Sequence, residues 1–247
     1  MKVAFFCLHY GSDYLSYAIR SIIDVVDKVF IAYSPTPSHG HQGSSDNPDS
    51  KQKCYEAAHQ NNSTHKIHWI EGKWAHEGDH RDSVFRTYPN ARLISVVDAD
   101  EIWHTDQFAA MQEWCLSQPA FAFKQKLRTL WRSFNWIVDD EMMPDRFYRL
   151  DQPRGTFRYT PREIGIFYHF GYARKPENIR YKLSIHGHKN ELKARWFEDK
   201  YLAWSPNNNI GDLHPTCNNI WNAKPFDKSL LPTILENHPY RNLEVIV

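Results

Sequence analysis

The segment Arg92-Leu93-Ile94-Ser95-Val96-Val97-Asp98-Ala99-Asp100-Glu101-Ile102-Trp103 decides the fold. Its first half, Arg92 to Val97, is apolar enough for a central strand buried on both faces of a parallel sheet. The run ends at two carboxylates two positions apart. In extended backbone, residues i and i+2 point the same way, so the spacing predicts that Asp98 and Asp100 share one side of the strand's carboxyl end. Open α/β sheets bind ligands at that end. Two hard oxygen ligands there suit Mg²⁺ or Mn²⁺, which keep waters and take phosphate oxygens. The same pair also fits an acidic strand end that only introduces the next helix.

Upstream of this segment, strand and helix signals alternate. Val3 to Leu8 is a short apolar run, and Ser12 or Asp13 is placed to cap a following helix. In that helix Leu15, Ala18, Ile19, Ile22, Ile23 and Val26 recur at spacings of three and four, which makes one apolar stripe. Lys28 to Ser34 reads as a second strand and Pro35 to Ser50 as a polar loop. Within that loop His39 to Asp46 is long and Gly-rich, the composition of a movable lid. Lys51 to Gln60 is predicted helical, Lys66 to Ile70 a strand and Asp79 to Thr87 a helix. Downstream, Thr105 is expected to cap a helix carrying Phe108, Met111 and Cys115. Four rounds of strand then helix predict an α/β fold: a mainly parallel central sheet flanked by helices on both faces.

The second half changes character. Phe121 to Trp131 alternates apolar odd positions with Lys124, Lys126 and Arg128, the period of a strand with one basic face. Phe157 to Phe170 reads as extended and Glu177 to His186 as a helix. With no internal repeat and no clean linker, residues 1–247 are expected to form a single domain. Its 1–104 half is the regular one, and 105–247 is more irregular in strand and helix.

Composition excludes several classes. The 247 residues carry a net charge of +1 and 15% aromatics, so no strong field draws the chain to nucleic acid or to an anionic membrane. Cys7, Cys54, Cys115 and Cys217 lie far apart with no CxxC pair, which argues for free thiols in a reducing compartment. The first residues form too short an apolar run for a signal peptide, and nowhere do about 18 apolar residues follow one another. A cytoplasmic enzyme without a transmembrane segment is the expectation. No GxxxxGK[ST] phosphate loop and no HExxH is present.

The chain resembles family-2-like glycosyltransferases of the A-type fold, distantly including β-1,4-N-acetylglucosaminyltransferases. The resemblance runs through HYGSDYLSYAIRSI (9–22), GDHRD (78–82), VVDADEIW (96–103) and YHFGYARKPENIRYKLSIHGH (168–188). It covers most of the chain, and VVDADEIW and YHFGYA are its specific parts. It implies a metal-dependent enzyme that moves a sugar from a nucleotide-sugar donor (a UDP- or GDP-sugar) to a glycan or other hydroxyl acceptor with inversion. Asp100 would then be the direct ligand of Mn²⁺ or Mg²⁺, Asp98 would touch the metal or the ribose, and Glu101 would support the turn. His169 would complete the metal site, with His214 as its rival; a histidine between Tyr168 and Phe170 also fits a core position. His9, Tyr10 and Gly11, with Tyr33 and Ser34, would line the base pocket. Arg81 and Asp82 would contact base or diphosphate, and Lys182, with His186 and His188, the diphosphate or the acceptor. Asp139, Asp140 and Glu141 are the candidates for a general base, and equally for a solvated loop.

Two other readings compete. A sugar-nucleotide pyrophosphorylase would also use an α/β half and a metal, but it calls for a Gly-rich, cationic loop after the first strand that HYGSDY lacks. A non-enzymatic carbohydrate-binding module would suit the aromatic content, and its binding would be indifferent to chelators and nucleotides.

Overall fold

The computed structural model describes residues 1–38, 42–60 and 63–247. His39, Gly40 and His41, at the start of the predicted lid, lie outside the described residues.

The first half runs β1 (Lys2–Leu8), α1 (Ser12–Ile22), β2 (Lys28–Tyr33), α2 (Lys51–Ala58), β3 (Ile67–Glu71), α3 (Glu77–Thr87), β4 (Leu93–Val96), β5 (Glu101–Ile102) and α4 (Thr105–Ser117). β3, β2, β1 and β4 lie side by side and parallel, as the alternation of signals predicts. One face of β1 (Ala4, Phe6, Leu8) packs under α1, α2 and α4, where the predicted stripe from Leu15 to Val26 is buried throughout. The other face (Val3, Phe5, with Phe30 and Ile94) packs against Val84 of α3. The fold is therefore α/β, with helices on both faces of a mostly parallel sheet.

Two capping expectations are corrected. Neither Ser12 nor Asp13 caps α1. Its N-cap is Gly11, at φ 116°, and the helix end is satisfied by Asp49, whose carboxylate accepts from the Gly11 and Ser12 amides at 2.7 and 2.9 Å. Ser12 and Asp13 sit inside the first turn. Thr105 likewise is the first residue of α4 and not its cap; its hydroxyl donates to the Ser21 carbonyl at 2.9 Å, tying α4 to α1.

The second half departs further from the reading of the sequence. The predicted strand 121–131 is two strands in two sheets, β6 (Ala122–Lys124) and β7 (Leu127–Trp131). The chain changes sheets at Gln125, whose amide side chain is buried and donates to the Gly165 carbonyl at 2.7 Å. β8 (Trp136–Val138), β9 (Asp145–Tyr148), β10 (Phe157–Tyr159), β11 (Phe167–Tyr172), α5 (Pro176–Ser184) and β12 (Ala223–Pro225) follow. The extended segment expected over 157–170 is thus interrupted between β10 and β11. β9 enters the first sheet antiparallel between β4 and β6, and the sheet's order becomes β10-β6-β9-β4-β1-β2-β3. The second sheet, β12-β8-β7-β11-β5, carries a separate aromatic cluster around Trp131, Tyr201 and Trp204.

All four cysteines are free. No helix among the described residues is long and apolar enough to cross a membrane.

Candidate functional site

β4 ends at Val96, and residues 98–101 form a turn closed by the Glu101 amide donating to the Asp98 carbonyl at 3.0 Å. The two aspartates therefore converge through a turn and not through an extended strand, which corrects the geometry expected from their spacing. Glu101 supports this turn: its carboxylate, buried at 1% exposure, accepts from the Asp98 amide and pairs with Arg146. Arg146, on β9, also pairs with the Asp98 carboxylate at 2.8 Å. Burial pushes the Asp98 carboxyl up, but Arg146 and then Arg81 outweigh it and hold its pKa at about 2. Asp98 is thus ionised at any working pH.

The second sheet brings His169 to this turn. β5 leaves the turn directly and pairs antiparallel with β11, placing His169 opposite Glu101, and the Phe170 amide donates to the Asp100 carbonyl at 2.8 Å. His169 Nε2 stands 3.8 Å from Asp100 Oδ1. Burial pushes the imidazole's pKa down, toward the neutral form that ligates metals. Lys182, near the end of α5, reaches the same place across Gly171; its ammonium lies over the Tyr172 ring at 4.5 Å and donates to the Gly171 carbonyl. Burial lowers its pKa as well. Arg174, buried at 2% exposure, is held by Asp13 and lies 3.6 Å from the Asp100 carboxylate.

These groups face one cavity of about 370 Å³ at the carboxyl ends of β1, β2 and β4. Its lining joins Asp98, Asp100, His169, Arg81, Arg174 and Lys182 with His9, Tyr10, His80 and the 185–188 segment. Gly11 lies just behind it, with room for a Cβ only 3.0 Å from Ala99. His9 hydrogen-bonds the Ser34 carbonyl through Nδ1 at 2.7 Å and meets Tyr181 through Nε2, while Tyr10 lies against the Arg174 guanidinium. Two aromatic rings and a cation at the end of β1 make a wall on which a flat heterocycle can stack.

The other predicted residues lie elsewhere. Tyr33 is buried and stacked on Trp69, and Ser34 contributes its carbonyl to His9; neither lines the cavity. Asp82 is exposed on α3, one residue past Arg81. Asp139 pairs with Lys224 at the surface, and Glu141, its side chain 81% exposed, pairs with Lys126, which lowers its pKa. Asp140 alone of the three is buried, facing Thr129. His214 packs edge-on to Trp221 and accepts from the Cys217 amide, away from the cavity. Cys7, one of the free thiols, is partly exposed on the cavity wall.

Arg146 and Arg174 did not emerge from the sequence. Each is a single arginine inside an apolar or aromatic stretch (DRFY, GYARK), a charge that needs a buried partner, but the partner lies 48 and 161 residues away.

The residues present fit a divalent ion. Asp100 and His169 are the residues that would hold it: Asp100 Oδ1 and His169 Nε2 face each other at 3.8 Å with no hydrogen bond between them, and a carboxylate with a neutral imidazole is a donor set such ions accept. Among the described residues no group of three or more His, Cys, Asp or Glu side chains is placed to hold a metal. Asp100 and His169 could thus supply only part of a coordination shell.

No family model matches the chain, and no curated protein matches it in sequence. Solved structures match parts of it at low identity. S. aureus TarS 1-349 matches over 72% of this chain and 62% of its own at 10% identity and a TM-score of 0.43. GalNAc-T7, solved with UDP, GalNAc and Mn²⁺, matches over 52% and 23% at 10% identity and a TM-score of 0.39. Glucosyl-3-phosphoglycerate synthase from Mycobacterium tuberculosis, in complex with Mn²⁺, UDP and phosphoglyceric acid, matches over 51% and 42% at 11% identity and a TM-score of 0.35. The chain spans less than two thirds of the length of each.

Proposed function

We propose that the protein is a metal-dependent glycosyltransferase that takes a sugar from a UDP- or GDP-sugar and passes it to a hydroxyl of a glycan acceptor. The observation that carries this reading is the convergence of Asp98, Asp100, His169, Lys182 and Arg174 on one cavity at the carboxyl end of a parallel sheet. Two carboxylates alone would repel a diphosphate. Here Arg81, Arg174 and Lys182 line the same cavity, and the array is complementary to a diphosphate carrying Mn²⁺ or Mg²⁺.

In this reading Asp100 and His169 hold the ion, which when bound acts as a Lewis acid on the leaving diphosphate. Lys182, half-buried, and Arg174, fully buried and held by Asp13, supply charge to the diphosphate from positions the fold sets, so little reorganisation accompanies the departure of the leaving group. Arg146 and Arg81 keep Asp98 ionised, available to the ribose hydroxyls or the ion. The ring wall of His9 and Tyr10 takes the base. The 105–247 half then holds the acceptor. The transfer is read as inverting, as the sequence resemblance implies, and the anomeric configuration of the product measures this directly.

The test is release of nucleoside diphosphate from a panel of UDP- and GDP-sugars with Mn²⁺, with and without EDTA. Turnover of one donor class, abolished by EDTA and by Asp100→Ala in a protein that stays folded, is the expected result. Undiminished turnover in Asp100→Ala sinks the assignment. Glycan binding that ignores both nucleotide and chelator would favour a carbohydrate-binding module instead.

A further inference from the structure

Asp140 lies on the far side of His169 from the cavity, and the proton count between them is constrained. Thr129 Oγ1 is 2.7 Å from Asp140 Oδ2 and 3.3 Å from His169 Nδ1. A hydroxyl has one proton to give. Thr129 Oγ1 donates to Asp140 Oδ2 at 2.7 Å, so the proton between them is the threonine's. The second oxygen of Asp140 accepts from the Met142 amide at 3.0 Å, which fixes the carboxylate's orientation. With its proton committed, Thr129 Oγ1 can meet His169 only as an acceptor, so Nδ1 must carry the hydrogen. In a neutral imidazole, Nε2 then carries the lone pair. That atom faces Asp100 Oδ1 at 3.8 Å, beyond hydrogen-bond reach, so its lone pair is turned toward the carboxylate and the cavity.

The fold holds this chain in place. Thr129 and His169 are register partners on the parallel strands β7 and β11, and Asp140 follows β8, which pairs with β7 at Thr129 and Val138. Thr129 is fully buried, and Asp140 is 8% exposed. We infer that Asp140, acting through Thr129, is a positioning residue that locks His169 in the Nδ1–H tautomer and presents Nε2 as a ready metal ligand. The inference rests on the metal-binding reading above, but the tautomer exists or fails without any metal. A carboxylate behind a metal-ligating histidine is a common outer-shell device; here a threonine is interposed.

The test uses two readouts. The first is the ¹⁵N–¹H correlation pattern of His169 in the metal-free protein, at a pH where the ring is neutral. The Nδ1–H tautomer is expected in wild type, lost in Thr129→Val and Asp140→Ala, and restored in Thr129→Ser, which keeps the hydroxyl. A wild-type ring in the Nε2–H form, or a tautomer unmoved by Thr129→Val, overturns the inference. The second is Mn²⁺ affinity in the presence of UDP or GDP, followed by electron paramagnetic resonance. A loss of about 10- to 100-fold in Thr129→Val with recovery in Thr129→Ser is expected. Equal affinity in all three proteins counts against the relay. If wild type binds no Mn²⁺ with either nucleotide, the donor-site reading fails, and the ¹⁵N pattern still decides whether Asp140 sets the tautomer.

Discussion

Gly171 is the residue at which the site's tolerances are tightest. A Cβ there would meet His169 Nε2 and, at 2.6 Å, Lys182 Nζ, closer than either can tolerate. Both side chains reach the cavity by passing over a bare α-carbon. The backbone at Gly171 is not in the left-handed region, so alanine is conformationally acceptable, and the cost falls on the two neighbours. Gly171→Ala should therefore stay folded while losing Mn²⁺ affinity by about 10-fold or more, the scale on which misdirected ligands act. Calorimetric titration of Mn²⁺ in the presence of UDP or GDP measures it; unchanged affinity would show that His169 has no part in the site. The sequence makes Asp98, Asp100, His169 and Lys182 visible because each stands beside a motif. It hides Gly171, whose significance lies in what packs over it, and Arg146 and Arg174, whose partners are remote.

Helix α1 shows the same division between local and remote signals. Its apolar stripe is legible from spacing alone, because a period of 3.6 leaves the sequence no other way to bury Leu15, Ala18, Ile19 and Ile22. Its N-terminus is not legible, because the group that caps it comes from the loop before α2. Asp49→Ala removes the acceptor for the Gly11 and Ser12 amides and the Ser12 hydroxyl. The expected loss is about 1–3 kcal/mol of stability, the cost of buried donors left unpaired, measured by urea unfolding; no change would mean that water replaces the carboxylate. β1 through α4 could be read in order because each element satisfies its own period, except β5, whose two residues are too few to show one and whose partner is the remote β11. β6 and β7 could not be separated, since alternation continues through Gln125 while the hydrogen-bonding partners change from one sheet to the other. Which sheet a strand joins is a long-range property, and a period of two carries no record of it.

At the scale of the whole molecule, two buried histidines couple stability to pH. His80 joins α3 to β2 through the Ala32 carbonyl, and His238 accepts from the Tyr240 amide while hydrogen-bonding the Asp13 carbonyl. Burial pushes both pKa values down to about 4 from the ordinary 6.5. The unfolded chain takes up these protons first, so their stability is complete above pH 6.5 and is lost as pH falls from 6.5 toward 4. The loss is on the order of 3 kcal/mol for each ring. Asp98 acts lower: its depressed pKa contributes stability present above 3.8 and lost as pH falls through about 2. Urea midpoints measured between pH 6.5 and 4 should fall in wild type and fall less in His238→Gln; parallel curves would contradict the assignment. The central claim is that one cavity, joining both sheets, binds a nucleoside diphosphate through a divalent ion. Thermal unfolding of wild type and Asp100→Ala with UDP or GDP, in Mn²⁺ or in EDTA, tests it most directly. Ligand binding to the native state at 100 times its Kd adds about 2.7 kcal/mol, so the predicted result is a raised wild-type midpoint with one nucleotide that vanishes in EDTA and in Asp100→Ala. A midpoint that moves with neither nucleotide, or moves equally in EDTA and in Asp100→Ala, contradicts the account.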